Sequence, residues 1–188
     1  MKEKIMFVFL LVCALLDDFM SYVLPVDFTF RSFSLVFHIC FCALLMFIYD
    51  RDWLDRVLIG ATCGLLTDLF ITDSFPVYMI LYALSAYGIG FFQSIMKRRI
   101  RFECSIVWGF VFLIDFVPYV LFSLFGKIHI PFFTWILKME LLTMVIHVGI
   151  IVVLIYIISI LKRFVLIRMH RRKVQEKKQY HKYRLVRK

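Results

Sequence analysis

The feature that most limits what this chain can fold into is its succession of long apolar runs, separated by short polar breaks. A membrane-crossing helix needs about 20 mainly apolar residues, because each adds about 1.5 Å against a hydrocarbon core of roughly 30 Å. Here 63% of the residues are hydrophobic and the mean hydropathy is +0.88, against about half apolar in ordinary soluble domains. An excess of this size along most of the length implies a bilayer solvent rather than one oversized core. The expected fold class is an all-α integral membrane protein, a six-helix transmembrane bundle.

Six spans are predicted, over about residues 4–24, 33–49, 54–72, 77–96, 104–125 and 132–161. Pro25 closes the first, Pro76 marks the turn after the third, and Pro118 is expected to kink the fifth. Gly126 and Pro131 bracket the loop before the sixth, whose Phe132, Phe133 and Trp135 suit a membrane interface. No loop is long enough to be a soluble domain. The chain therefore divides into a membrane domain, 1–161, and a basic tail, 162–188. Neither Gly nor Pro occurs after Gly149, so the last helix is expected to run into the tail at least as far as Arg172. The first run contains Asp17 and Asp18 and lacks a small-x-small cleavage site, so it reads as a retained helix.

Charge sets the orientation. The net charge is +10, and twelve of the 23 Lys and Arg lie between Lys162 and Lys188. With six spans and the N-terminus inside, the inner segments hold Lys2, Lys4, Arg51, Arg56, Lys97, Arg98, Arg99 and Arg101 as well as the tail. Only Arg31, Lys127 and Lys138 stay outside. Twenty against three follows the positive-inside rule and puts both termini in the cytoplasm. Five spans would leave either the 97–101 run or the tail outside. A basic tail after a last span is a topology device, so nucleic acid is not an expected partner. Lys162, Arg163, Arg168, Arg171 and Arg172 are candidates for contact with the membrane surface, at about 1 kcal/mol per residue near anionic lipid. A cytoskeletal contact is the sharper alternative.

Polar groups inside the spans carry the remaining signal. An Asp at the centre of a span costs about 2.5–3.5 kcal/mol to insert and must face other helices, water or a partner. In the third span Gly60, Gly64, Asp68 and Thr72 recur every fourth residue and form one stripe. Two glycines at small-xxx-small spacing allow close approach of a neighbouring helix or a partner's. Asp115 lies in the middle of the fifth span, near the carbonyl freed by Pro118. Asp17 and Asp18 lie in the outer half of the first. Against these functional readings stand plain internal packing of satisfied carboxyls for Asp68 and Asp115, and a water-exposed helix end for Asp17 and Asp18. His38 and Cys42 share a helix face, but two ligands do not make a zinc site. His147 reads as packed between helices. The five cysteines lie in or beside apolar runs, without a C-x-x-C pair, and read as small hydrophobes.

No catalytic role is expected. Asp68 sits in L-T-D rather than the G-x-G-D of intramembrane aspartyl proteases, and G-x-S-x-G, H-E-x-x-H and Walker A motifs are absent. No residue set calls for a cofactor.

The run G-x-x-x-G-L-L-x-D-L-F (Gly60 to Phe70) resembles the signature of the rod shape-determining protein MreD family. The likeness continues through V-Y-M-I-L-Y-A-L-S-A-Y-G-I-G (Val77 to Gly90). It includes F-L-I-D-F-V (Phe112 to Val117), and Asp17, Asp18 and Pro25 closing the first helix. It covers about residues 5–161. Two features depart from the family: Ser74-Phe75-Pro76 where Gly is common, and a longer basic tail. The resemblance implies a non-enzymatic subunit of the bacterial cell-elongation machinery, in the cytoplasmic membrane. It also implies partners: the bitopic protein MreC, the actin-like MreB, the glycosyltransferase RodA and a class B penicillin-binding protein. In fold, the family resembles the substrate-binding S-components of energy-coupling-factor transporters. That similarity makes a small-molecule transport subunit the alternative. Those subunits usually carry A-x-x-x-A in the first helix, where this chain has only Ala14.

Overall fold

A computed structural model of the chain describes residues 2–25, 27, 33–71, 77–96, 100–126 and 129–186. Among the described residues every regular element is helical. Four helices are long and apolar enough to cross a membrane: Lys4–Val23, Val77–Met96, Arg101–Leu124 and Phe132–Arg168. The protein is an all-helical membrane protein.

Helix α1 is Lys2–Val23, α2 Ile39–Ile48 and α3 Trp53–Ile71. Helix α4 runs over Val77–Gly88, tightens to a 3-10 turn over Ile89–Phe92 and ends with Gln93–Met96. Helix α5 is Ile100–Leu124, with Pro118 inside it. Helix α6 starts as Phe132–Trp135, widens to a π-helical turn over Ile136–Glu140 and continues as Leu141–Val186.

The shortest of the principal helices is the hub. Helix α2 touches α1, α3, α4, α5 and α6, and Phe41, Cys42, Ala43, Leu44, Leu45, Met46 and Ile48 are fully buried. A helix apolar on every face belongs in the middle of a bundle. The outer faces of α1 and α6 instead expose large apolar side chains, including Val8, Leu15, Phe19, Val148, Val152 and Tyr156.

The turn between α2 and α3, the end of α4 and Lys162 of α6 gather at one basic end. Arg51 Nη2 donates to Met6 Sδ at 3.4 Å, and Gln93 Nε2 to Asp50 Oδ1 at 3.1 Å. Lys162 Nζ lies 5.4 Å from the Tyr49 ring centroid. From Lys162, α6 continues through Val186 as one helix, roughly 35 Å of rod at about 1.5 Å per residue. Lys162, Arg163, Arg168 and Arg171 are exposed along it; the side chain of Arg172 lies outside the described residues.

The segment predicted as one helix over 33–49 differs. It is helical only over Ile39–Ile48, and residues 33–38 are non-helical. The cause is tertiary. Ser34, Val36 and His38 each turn their N–H to α6, where Lys138 O accepts at 2.8 Å, Thr143 Oγ1 at 3.2 Å and His147 Nε2 at 3.0 Å. Every second N–H is thereby satisfied without a helix, as backbone away from water requires. The π turn contributes, because its i→i+5 bonding shifts carbonyls out of the α-helical ladder and Lys138 lies within it. At about 3.3 Å per residue the segment covers about 20 Å, and the ten-residue helix adds about 15 Å.

The membrane-interface role expected for Trp135 is also corrected. It is 2% exposed and stacks on Tyr119 with ring centroids 4.6 Å apart. Phe132 is nearby at 6.0 Å, while Phe133 faces outward. Tyr119 lies one residue past Pro118 and donates its hydroxyl to Ile130 O at 2.8 Å. This cluster ties the end of α5 to the start of α6.

Candidate functional site

A helix leaves its first N–H groups without intrahelical acceptors. In a bundle interior no water supplies them, so an acceptor has to come from another helix. Asp17 on α1 does this for α2. Its Oδ1 accepts from Ile39 N at 2.7 Å and its Oδ2 from Cys40 N at 2.8 Å. Asp68 on α3 does the same for α4: Oδ1 accepts from Tyr78 N at 3.1 Å and Oδ2 from Met79 N at 2.7 Å. Both carboxyls are about 5% exposed. A negative group at a helix N-terminus also meets the positive end of the helix dipole. Each Asp thus staples an antiparallel helix pair, α1 to α2 and α3 to α4.

The glycines of the same stripe complete the α3–α4 seam. A Cβ at Gly60 would lie 2.7 Å from Ala86 Cβ and 2.9 Å from Tyr82 O. At Gly64 it would overlap Tyr78 O and lie 2.7 Å from Met79 Cα. The backbones are in direct contact at that point. The stripe of Gly60, Gly64 and Asp68 is therefore filled by α4 and offers no surface to a second chain. Thr72, the fourth residue of the stripe, lies outside the described residues.

Asp115 on α5 belongs to a third group. Its Oδ1 lies 2.8 Å from His38 Nε2. The backbone N–H of His38 donates to His147 Nε2. A backbone N–H only donates, so Nε2 of His147 is an acceptor and the ring proton sits on Nδ1. That nitrogen lies 2.7 Å from Thr143 O and donates to it. Thr143 in turn donates its hydroxyl to Met139 O at 2.9 Å while accepting from Val36. The network spans the 33–38 segment, α5 and α6, and its side chains His38, Asp115, Thr143 and His147 are buried.

Glu140 closes the π turn and points into this interior. It is 2% exposed, and neither carboxyl oxygen has a hydrogen-bond partner among the described residues; nor has Asp115 Oδ2. The Asp115 and Glu140 carboxyls interact electrostatically. A buried polar group without a partner costs about 1–3 kcal/mol. Glu140→Met, close in volume and apolar, is expected to raise the stability of the detergent-solubilised protein by about 1 kcal/mol. Thermal unfolding checks this, and a fall in midpoint would mean that Glu140 has a partner in the membrane.

Asp18 is half-buried on the turn beside Asp17 and takes no part in the α2 cap. The basic residues Lys162, Arg163, Arg168 and Arg171 lie at the opposite end of the membrane domain from the His38 network. Comparison with known proteins gives no matching family model, no matching curated protein and no matching solved structure.

Sequence reasoning singled out Asp17, Asp68 and Asp115 but not Glu140 or Thr143, and it placed His147 only as packing. A readable signal was present. Glu140, Thr143 and His147 fall at i, i+3 and i+7, one polar stripe on an otherwise apolar helix.

Proposed function

We propose that the chain is a non-enzymatic scaffold subunit of the bacterial cell-elongation machinery. In this reading it sits in the cytoplasmic membrane and couples lateral peptidoglycan synthesis to cell shape by holding an MreC-like bitopic partner. MreB, RodA and a class B penicillin-binding protein join through the same assembly. The observation that carries the reading is the use made of the MreD-like run from Gly60 to Phe70. Its two glycines and its carboxylate form the α3–α4 seam, so the residues behind the resemblance are those that build the bundle.

Six crossings with both termini in the cytoplasm belong to the same proposal. The extended 33–38 segment and α2 together cover about 35 Å, comparable with a hydrocarbon core of roughly 30 Å. The end that holds Arg51, Arg56 and Lys162 then faces the cytoplasm. With the glycine stripe occupied, the outer faces of α1 and α6 are the surfaces left for the partner's single helix. Packing there gains from close contact and interhelical hydrogen bonds, each about 0.6–2 kcal/mol.

Replacing the gene's product by an Asp68→Leu form in a rod-shaped host tests the functional role. Loss of rod shape at unchanged cell viability in spherical form is the expected result. Normal rods in cells lacking the protein altogether would remove the proposal.

The tail extends the scaffold into the cytoplasm as a helical rod. Truncation after Arg163 is expected to abolish pull-down of the actin-like partner while the bitopic partner still co-purifies. Loss of both would place the tail in membrane assembly instead.

One observation favours a second reading, a substrate-binding subunit of an energy-coupling-factor-type transporter. The unpartnered oxygens of Glu140 and Asp115 face the bundle interior and suit a small hydrogen-bonding ligand. Mass spectrometry of the purified protein separates the two. A retained small molecule lost on Glu140→Gln supports transport; a protein mass alone supports the scaffold.

A further inference from the structure

Arg56 is a charged side chain in an unexpected state. It lies in the first turns of α3 and is 91% buried, at 9% exposure. Its Nη1 donates to Arg51 O at 3.0 Å, Nε has no acceptor, and no ion pair forms to it among the described residues. A buried guanidinium without a counter-charge is costly. Beside it opens a cavity of about 460 Å³ lined by Trp53, Tyr87, Gly90 and Phe91. Trp53, Tyr87 and Phe91 are all largely exposed at its rim.

The fold makes room for the guanidinium on purpose. A Cβ at Gly90 would overlap its Nη2 and Cζ atoms, so any side chain there must displace the Arg56 head group. Gly90 and Phe91 both lie in the 3-10 turn that interrupts α4. With Nη1 held by Arg51 O and Nε enclosed without an acceptor, Nη2, packed on Gly90 at the cavity wall, is the guanidinium nitrogen left for a ligand. A charged N–H donor there matches an oxygen of a phosphate. An aromatic rim beside a cation, at the end of helices that cross a membrane, lies at headgroup depth.

We infer that Arg56 and the cavity bounded by Trp53, Tyr87, Gly90 and Phe91 form a binding site for a phosphate group, supplied by the headgroup of a membrane phospholipid. Nη2 donates to a phosphate oxygen, and Trp53 and Phe91 flank the glycerol and the first methylenes. Neither the bitopic partner nor the basic tail is needed for this site.

Native mass spectrometry of the full chain released from detergent tests it. The wild type is expected to retain one phospholipid. Arg56→Gln should lower that occupancy at least about tenfold, since a hydrogen bond to a charged group is worth about 1.5–3 kcal/mol. Arg56→Lys, which keeps the charge on a shorter head group without the planar guanidinium, should fall between them. Arg101→Gln, an exposed site on α5, should leave it unchanged. Because Arg56→Gln removes a buried charge, Gly90→Ala supplies an independent test: it displaces the guanidinium and should also release the lipid. A thermal shift on adding inorganic phosphate to delipidated wild type, absent in Arg56→Lys, would assign the site to free phosphate and overturn the lipid source. Equal lipid retention in wild type, Arg56→Gln and Gly90→Ala would overturn the site itself.

Discussion

Gly64→Leu is expected to prevent assembly of the folded bundle. Even the first side-chain carbon meets Tyr78 O and Met79 Cα, which are backbone atoms at the start of α4 and cannot rotate away. To admit it, α4 must move off α3, and that pulls Tyr78 N and Met79 N from Asp68. Overpacking alone costs about 1–3 kcal/mol, and loss of the cap adds about 0.5–2 kcal/mol. Membrane-inserted protein that aggregates on detergent extraction is the expected outcome. Gly60→Ala also meets fixed atoms, Ala86 Cβ at 2.7 Å and Tyr82 O at 2.9 Å, and should be milder only because it adds a single carbon. Gly149→Leu has nothing within 4 Å of the new carbon and should behave as wild type. Equal, normal behaviour of Gly64→Leu and Gly149→Leu by size-exclusion chromatography would disprove the close α3–α4 contact.

The second large effect is at the cross-helix caps. Asp17→Leu leaves Ile39 N and Cys40 N without acceptors, and Asp68→Leu does the same to Tyr78 N and Met79 N. Each unpaired N–H costs about 1–3 kcal/mol, so a loss of about 2–6 kcal/mol is expected for either variant. The Asn forms should lie between Leu and wild type. An amide has one acceptor oxygen, while each of these carboxyls serves two N–H groups with two oxygens. Chemical denaturation in detergent, comparing Leu, Asn and wild type at both positions, checks the order. Asn and Leu equally harmful at Asp68 would mean that charge at the α4 N-terminus outweighs the hydrogen bonds. The Asp17 cap should be the more sensitive, because α2 is buried on all sides and begins inside the bundle.

Local signals revealed those parts of this molecule that depend on composition over one helix length. The apolar runs that mark Lys4–Val23, Val77–Met96 and Phe132–Arg168 are of this kind. The fourfold spacing of Gly60, Gly64 and Asp68 put them on one face, and the structure lays that face on α4. The break before α2 had no such signal. Residues 33–49 hold no Gly or Pro and read as one continuous apolar helix. What stops the helix at Ile39 is a set of acceptors on α6, more than a hundred residues away in sequence. The pairing of His38 with Asp115 is non-local in the same way. Glu140 was legible as one step of the polar stripe it forms with Thr143 and His147, but the π turn that closes on it has no sequence mark. The role of Arg56 was obscured by charge counting, which treats a buried guanidinium and an exposed one alike.

Asp17 and Asp68 together give the bundle a simple logic. Each odd-numbered helix of the first two pairs carries a carboxyl that starts the next helix. Asp115, in the middle of α5, pairs with His38 instead, leaving one oxygen open beside Glu140. The first two carboxyls are satisfied by folding. The third is the one the fold does not fully use.

The central claim is that this bundle acts by holding a partner chain. The most direct test is affinity purification of the tagged full-length protein from the membranes of its own host in mild detergent, with every co-purifying chain identified. A stoichiometric bitopic MreC-like protein is the expected result, retained in Glu140→Met. A protein that purifies without any membrane partner, and carries a bound small molecule released by Glu140→Gln, would contradict it.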